Sequence, residues 1–327
     1  MKSIVITRPG GAEVLATEER PVPEPGPGEI RVRVQASALN RADVLQRMGS
    51  YPAPPGAPAD VPGLEYAGEV DAVGEGAGLW AVGNRVMGLV GGGGHAEYVV
   101  VHEREAIRIP QNYGVEEAAA IPEAFLTSYD ALFRQLDLKV GERVLIHAVG
   151  SGVGTASLQL ARAAGAVTLG TSRTPAKLKR AEQELGLEVG IDTGREDLAE
   201  AVNQATYGSG VHAVLDLVGG KLLEASLRVL ALRGRAIVVG TTAGSKAEID
   251  LGLLLRRRLH LFGTVLRSRP LEEKIALARE FSSSVLPLLS SGRIKPVVDS
   301  TFDFKDIRKA HERMESNATF GKIVLTW

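Results

Sequence analysis

Residues 143–177, RVLIHAVGSGVGTASLQLARAAGAVTLGTSRTPAK, constrain the fold more than any other stretch of the chain. Val144-Leu145-Ile146 is a short apolar run of the kind a fully buried parallel strand shows. Gly150, Ser151, Gly152, Val153 and Gly154 follow almost at once, and Thr155 to Ala164 then repeats apolar residues at helical spacing. Val167-Thr168-Leu169 reads as the returning strand. Small residues let the backbone turn sharply and approach a ligand closely, and the amides of a helix start favour a pyrophosphate. In an NAD-binder, an acidic residue near the end of the second strand takes the ribose 2′-hydroxyl. Here that place holds Thr171, Ser172 and Arg173, with Lys177 one turn on, which suits a 2′-phosphate. The expected cofactor is therefore NADPH. The spacing is Gly-x-Gly-x-Gly, and an ordinary tight strand-to-helix turn would use the same glycines. Strand, glycines, helix and basic terminus in the order the chemistry requires favour the nucleotide.

A chain of 327 residues exceeds a typical single domain, so two domains are expected. Lysine and arginine number 38 against 39 acidic residues, which gives no electrostatic case for nucleic acid or an acidic membrane. There is no long uninterrupted apolar run, and Met1-Lys2-Ser3-Ile4 shows no signal-peptide pattern. A soluble, cytoplasmic protein is expected. Cysteine is absent, which excludes disulfides, thiolate catalysis and cysteine-ligated metals.

Residues 1 to about 120 read as β-rich: residues 29–34 and 98–101 alternate or run apolar, with Pro- and Gly-rich turns between them. Residues 51–62 hold five prolines and form a loop, and Gly91 to Gly94 reads as a flexible turn. Helical spacing begins at Val115, and Ala118 to Leu136 reads as one long helix interrupted near Pro122. Beyond the opening βαβ unit, residues 211–218, 236–239 and 259–265 read as strands and 222–230 as a helix. This alternation predicts an α/β fold, a doubly wound parallel sheet of the Rossmann kind over 125–265. Residues 271–327 read as helix, loop, helix and a last strand, 322–325, that returns to the N-terminal domain.

Residues 38–43 (ALNRAD), 63–70 (GLEYAGEV), 119–123 (AAIPE), 151–154 (SGVG) and 321–325 (GKIVL) together resemble the zeta-crystallin-like quinone oxidoreductases of the medium-chain dehydrogenase/reductase superfamily. Residues 266–269 (LRSR) and Ser151 are most similar to the branch induced by a tumour suppressor in animals. The resemblance runs over essentially the whole chain. It implies a β-rich GroES-like catalytic domain, 1–124 with 266–327, beside the Rossmann domain, and a homodimer or homotetramer. It also implies a hydride passed from NADPH to a quinone-like acceptor. The relatives' zinc branch has Gly-His-Glu where this chain has Gly63-Leu64-Glu65, and its thiolate ligands match Asn40 and Glu123. Leucine has no lone pair to donate and an asparagine carbonyl is a poor zinc ligand, so a zinc-free enzyme is expected. The six histidines show no ligand spacing and read as surface or strand-packing residues.

Candidate catalytic residues are Asn40, Asp43 and Tyr51. On a helix Asn40 and Asp43 share a face, which serves a cap with its first-turn acid; the resemblance implies equally that both help to shape a wall around the nicotinamide. Tyr51 lies in the proline-stiffened loop, where its phenol could stack on a ring, donate a proton or stand exposed. The acceptor is expected over the nicotinamide, against Asn40, Tyr51 and residues 51–62. Candidate cofactor contacts are residues 150–154, Ser172, Arg173, Lys177, Gly240, Thr241 and Thr242, and the resemblance implies Thr127, Gly263, Thr264, Val265 and Leu266 as well. Arg256-Arg257-Arg258 reads as a solvated helix end that complements the helix dipole. Zinc or a general base would have to stabilise an alkoxide, and neither is evident, so an already electrophilic acceptor is expected. An enoyl or α,β-unsaturated ketone reductase meets the same logic, and a non-catalytic NADPH-binding protein is the alternative from another class.

Overall fold

The computed structural model describes all of residues 1–327. It resolves into two units, Met1–Leu126 with Leu266–Trp327, and Thr127–Val265.

The first unit opens with an antiparallel pair, β1 (Lys2–Ile6) and β2 (Leu15–Glu19). The 11-residue β3 (Glu29–Leu39) is the strand on which the unit gathers. Its period-two pattern turns Ile30, Val32, Val34 and Ala36 inward. β4 (Glu65–Val73) pairs with it antiparallel, followed outward by β5 (Arg85–Leu89). β6 (Tyr98–His102) covers the other side of the first half of β3, and β7 (Ile107–Arg108) extends β5. Ile30, Val32, Val34, Tyr66, Val70, Val86, Val99 and Val101 form one buried cluster.

The second unit is a six-stranded sheet built from β8 (Arg143–Ile146), β9 (Val167–Ser172), β10 (Val189–Asp192), β11 (Val211–Asp216), β12 (Leu230–Val238) and β13 (His260–Gly263). All neighbours are parallel, in the order β10-β9-β8-β11-β12-β13. Strand order reverses between β8 and β11, and ligands of such sheets bind at the carboxyl ends there. Helices Gly152–Ala163, Pro175–Leu185, Leu198–Ala205 and Lys221–Val229 link successive strands.

After the second unit, helix Leu271–Ser284 leads to β14 (Val298–Asp303), helix Ile307–Glu315 and β15 (Lys322–Thr326). β15 pairs antiparallel with the second half of β3, Ile323 against Leu39 and Thr326 against Ala36. The last strand thus completes the first unit, as its apolar run suggests.

Three elements differ from the sequence reading. The helix over 118–136 breaks at Pro122 as expected, into Val115–Ala119 and Pro122–Tyr129, but it starts earlier and closes in a π-helical turn, Asp130–Gln135. Pro122 has no amide to continue the first piece, and the last ends with Leu136 N–H reaching back five residues to Ala131. β12 begins at Leu230, six residues before its apolar core, because Val211 already pairs there ahead of a register shift. β14 was not expected at all.

Candidate active site

The carboxyl edge of the second unit's sheet, where the cofactor is expected, is made mostly of main chain. β8 runs into a turn in which Ala148 takes the left-handed φ of 49°. Ser151 then caps helix Gly152–Ala163, its Oγ accepting from Gly154 N–H at 3.0 Å. The amides of Gly152 and Val153 lie ahead of any carbonyl of the helix that they could reach, so they point outward as donors. Gly154 leaves no choice of residue: a Cβ there would stand 2.4 Å from Ala148 O. Helix and strand therefore approach as a dinucleotide cradle requires. Ser128 Oγ donates to Val153 O and receives from Ser157 Oγ, which fixes the start of the helix. Thr127, just before it in helix Pro122–Tyr129, is buried.

The other expected cofactor residues of this unit collect at the same carboxyl edge. Ser172 ends β9, and its Oγ accepts from Thr174 N–H at 3.1 Å. Arg173 is exposed and Lys177 half-buried in the following helix. Thr171 is withdrawn from this group, because its hydroxyl is buried 2.9 Å from His147 Nδ1. Asp192, which faces Ser172 in register on β10, has its carboxylate engaged by Gly194 N–H and Arg195. Gly240, Thr241 and Thr242 follow β12, tied to the end of β11 through Gly240 N–H to Asp216 O and Thr242 Oγ1 to Leu217 O. Asp216 also accepts from the amides of Val218 and Gly219. Gly263 ends β13 and Thr264 and Val265 follow it, with Thr264 Oγ1 donating to Asp130. Leu266 falls in the first unit and is buried. A groove of about 580 Å³ among Asn203, Arg228, Leu232 and Arg257 opens at the opposite, amino ends of β11 and β12. It takes no part in this edge.

The polar centre of the first unit is built from side chains. Asn40 sits where β3 passes into helix Arg41–Arg47. Of the expected cap and first-turn acid, the acid is in place: Asp43 accepts from Asn40 N–H at 2.7 Å. Asn40's own side chain is engaged elsewhere. Its Nδ2 donates to Glu65 Oε1 at 2.8 Å, and its Oδ1 accepts from Lys322 Nζ at 2.5 Å. Asp43 is fully buried, so it braces the wall rather than lining it: its second oxygen accepts from Gly63 N–H at 2.9 Å. Burial pushes the Asp43 carboxyl upward, but His95 and the two amides outweigh it and hold the pKa below the usual range. At 3.7 Å the His95 Nε2 contact is longer than a hydrogen bond, so the two amides are the close donors. Behind it, Arg47 is fully buried, its guanidinium on Glu315 at 2.7 Å and 3.0 Å and near His311 Nδ1.

Tyr51 is not an exposed loop aromatic. It is half-buried, with the Arg267 guanidinium 5.0 Å from its ring centroid. Burial raises the phenol's pKa and the nearby arginine only partly offsets this, so the hydroxyl stays protonated at neutral pH. Arg267 also donates to Gly91 O at 2.6 Å and to Gln46 Oε1 at 2.6 Å. It is the residue the sequence reading missed, having counted it only as a family marker. Gly91 to Gly94 is not a flexible turn. A Cβ on Gly91 would meet Pro54 at 3.2 Å, and one on Gly94 would meet Glu65 O at 2.8 Å. The proline loop is anchored too, by Gln46 to Ala59 O and by Arg20 on Asp60.

Of the histidines, His95, His147 and His311 are fully buried and hold polar partners, a tighter role than surface or simple packing residues. The Arg256–Arg258 run does end a helix, where Arg257 donates to Arg228 O and Leu230 O.

The alcohol dehydrogenase GroES-like domain family matches residues 26–111, and the zinc-binding dehydrogenase family matches 152–283. A quinone oxidoreductase of Pseudomonas aeruginosa is 33% identical over 99% of this chain and 99% of its own. The chain belongs to the quinone oxidoreductases of the medium-chain dehydrogenase/reductase superfamily. Among solved structures, the Escherichia coli quinone oxidoreductase complexed with NADPH is 32% identical over the whole of both chains, with a TM-score of 0.89. The JamJ enoyl reductase is 26% identical over 99% of this chain and 98% of its own, with a TM-score of 0.88. The fold is that of the superfamily: a Rossmann-like parallel sheet and a GroES-like domain. No helix is long and apolar enough to cross a membrane.

Proposed function

We propose that the chain is a zinc-independent NADPH:quinone reductase. The observation that carries this is the carboxyl edge of β8 and β9, where a capped, glycine-tight helix start stands beside a strand ending in Ser172 and Arg173 with Lys177 beyond. The residues there fit NADPH: Gly154 admits no side chain, the first helix amides face a pyrophosphate, and a cationic pair replaces the acid that would hold a free 2′-hydroxyl. NADPH, when bound, supplies the hydride. The chain's residues orient the partners and exclude water.

At the acceptor wall, Tyr51 offers an aromatic face and a neutral hydroxyl donor, and Asn40 an amide held in one orientation. Asp43 and Glu65 are buried and fully engaged there, so neither is free to serve as a strong base. Oxidation of an unactivated alcohol would need such a base or a metal. A quinone does not, because the hydroquinone anion is delocalised. Leu64 and the Lys322-bound pair Asn40 and Glu65 are also poor material for a zinc site. The enoyl reductase among the structural relatives supports a second reading with an enone as acceptor.

Oxidation of NADPH and of NADH with an ortho-quinone, a para-quinone and an enone, against a buffer blank, tests the reading. Fast NADPH oxidation with a quinone supports it. Equal use of NADH, or turnover with the enone alone, overturns the cofactor or the acceptor. We further infer a cytoplasmic homodimer paired along β13, the free edge of its sheet, where Leu261 is exposed beside Leu251 and Leu255. Light scattering that gives a monomer would refute the pairing.

A further inference from the structure

The ammonium of Lys322 is the centre of the polar cluster in the first unit. It donates to Glu65 Oε1 at 2.6 Å, Asn40 Oδ1 at 2.5 Å and Leu39 O at 2.8 Å, so all three of its hydrogens are committed. Asn40 Nδ2 spends its two hydrogens on Glu65 Oε1 at 2.8 Å and Ala38 O at 3.3 Å. The remaining Glu65 oxygen accepts from Glu123 N–H at 2.7 Å. Glu65 is 0% exposed and the lysine side chain 5%.

Stability does not require such a cluster, because a buried ion pair gains little over apolar residues of the same volume. What it does achieve is orientation. With both amide hydrogens taken, Asn40 has only its remaining Oδ1 lone pair to offer a ligand, and that oxygen is fixed by a cation on its other side. We propose that Lys322 is a positioning residue of the active site. It orients Asn40 and supplies a fixed positive charge beside the acceptor wall, where negative charge develops once hydride has been transferred. The proposal rests on the reading of Asn40 as part of that wall. The chain then carries as a side chain the local positive charge that a bound metal brings to other enzymes of this fold.

The test is kinetic, with Lys322→Met, Glu65→Gln and the double variant E65Q/K322M, at saturating NADPH and with whichever of the three acceptors the parent protein turns over fastest. Lys322→Met alone strands a buried carboxylate and can fail to fold; the double variant removes both charges together. The double variant is expected to keep the parent's melting temperature and NADPH affinity and to lose about tenfold or more in kcat. A double variant with the parent's kcat would reduce Lys322 to a neutraliser of Glu65 and overturn the proposal. A second readout uses the parent protein itself: the side-chain amide of Asn40 should give one pair of slowly exchanging proton–nitrogen signals. A mobile, averaged pair overturns the proposal even if the variants do not fold. If the parent reduces none of the acceptors, the reading as a reductase of quinones or enones fails by itself, and the amide signals still decide the orientation.

Discussion

The two units hold their functional groups by different means. In the second, the groups proposed to face a nucleotide are mostly amides and glycines placed by strand ends, and some of their partners are two or three residues away, as with Ser151 and Gly154 or Ser172 and Thr174. In the first, the groups are charged and polar side chains brought together from far along the chain, as with Asn40 and Lys322, 282 positions apart. Main-chain sites of the first kind tolerate side-chain change and fail when a Cβ intrudes. Side-chain sites of the second kind fail when one partner is stranded in a medium that cannot solvate it.

Burial keeps the imidazoles of His147 in the second unit and His311 in the first neutral, and acid should reveal both. Burial pushes His147 down to about 4, and burial with Arg47 nearby pushes His311 down to about 3. An unfolded histidine takes up its proton near 6.5, so protons bind preferentially to the unfolded chain below that pH. Stability should hold above about pH 6.5 and fall as the pH drops toward 4 for the second unit and 3 for the first. Each imidazole contributes about 3–5 kcal/mol to that fall. Denaturant melts between pH 7 and 4 measure it, and His147→Gln should flatten the curve. An unchanged slope would show that the imidazole is not neutral in the fold.

A glycine substitution tests the main-chain side of the contrast more directly. Gly154→Ala forces a Cβ to 2.4 Å from Ala148 O, and overpacking of this kind costs about 1–3 kcal/mol. NADPH binding, followed by fluorescence titration, should weaken about tenfold to a hundredfold. Parent affinity in this variant would mean that helix and strand do not form the nucleotide cradle.

Lys177→Ala comes next in size. A charge-assisted bond to the 2′-phosphate contributes about 1.5–3 kcal/mol, so NADPH should bind about tenfold more weakly while NADH changes little. Equal losses for both cofactors would assign Lys177 to the helix rather than to the phosphate.

The smallest effect is expected at Tyr51. Because hydride comes from the cofactor, Tyr51→Phe should lower kcat only a few-fold, and Tyr51→Ala should chiefly raise the KM of the quinone. A fall of about 10⁴-fold in kcat for Tyr51→Phe would make the phenol an obligatory acid and remove the contrast, because a side chain would then carry the chemistry.

What could be read from the sequence follows the same division. The βαβ unit and its glycines were legible because strand, turn and helix are contiguous, and each residue's reason lies within a few positions of it. Lys322 was read as part of an apolar terminal strand, and nothing local to it names Glu65 or Asn40. Arg267 and Tyr51, whose contact spans 216 positions, were hidden in the same way. Gly91 to Gly94 misled in the other direction: four glycines look like freedom, whereas a Cβ on Gly93 would meet Pro58 at 2.9 Å and one on Gly94 would meet Glu65 O at 2.8 Å. β14 escaped because a partly buried edge strand with the sequence VDSTFD lacks the apolar run of the inner strands.

The place of Lys322 also bears on synthesis. A ribosome adding about 5–20 residues each second makes Asn40 and Glu65 long before Lys322, 257 positions beyond Glu65. For on the order of half a minute the nascent first unit holds a carboxylate destined for a dry interior with no cation to accompany it. Its β-sheet also lacks the strand that closes the second half of β3. The second unit has all its strands by then, so it can fold first, and the closing strand brings the charge that lets the first unit dry out.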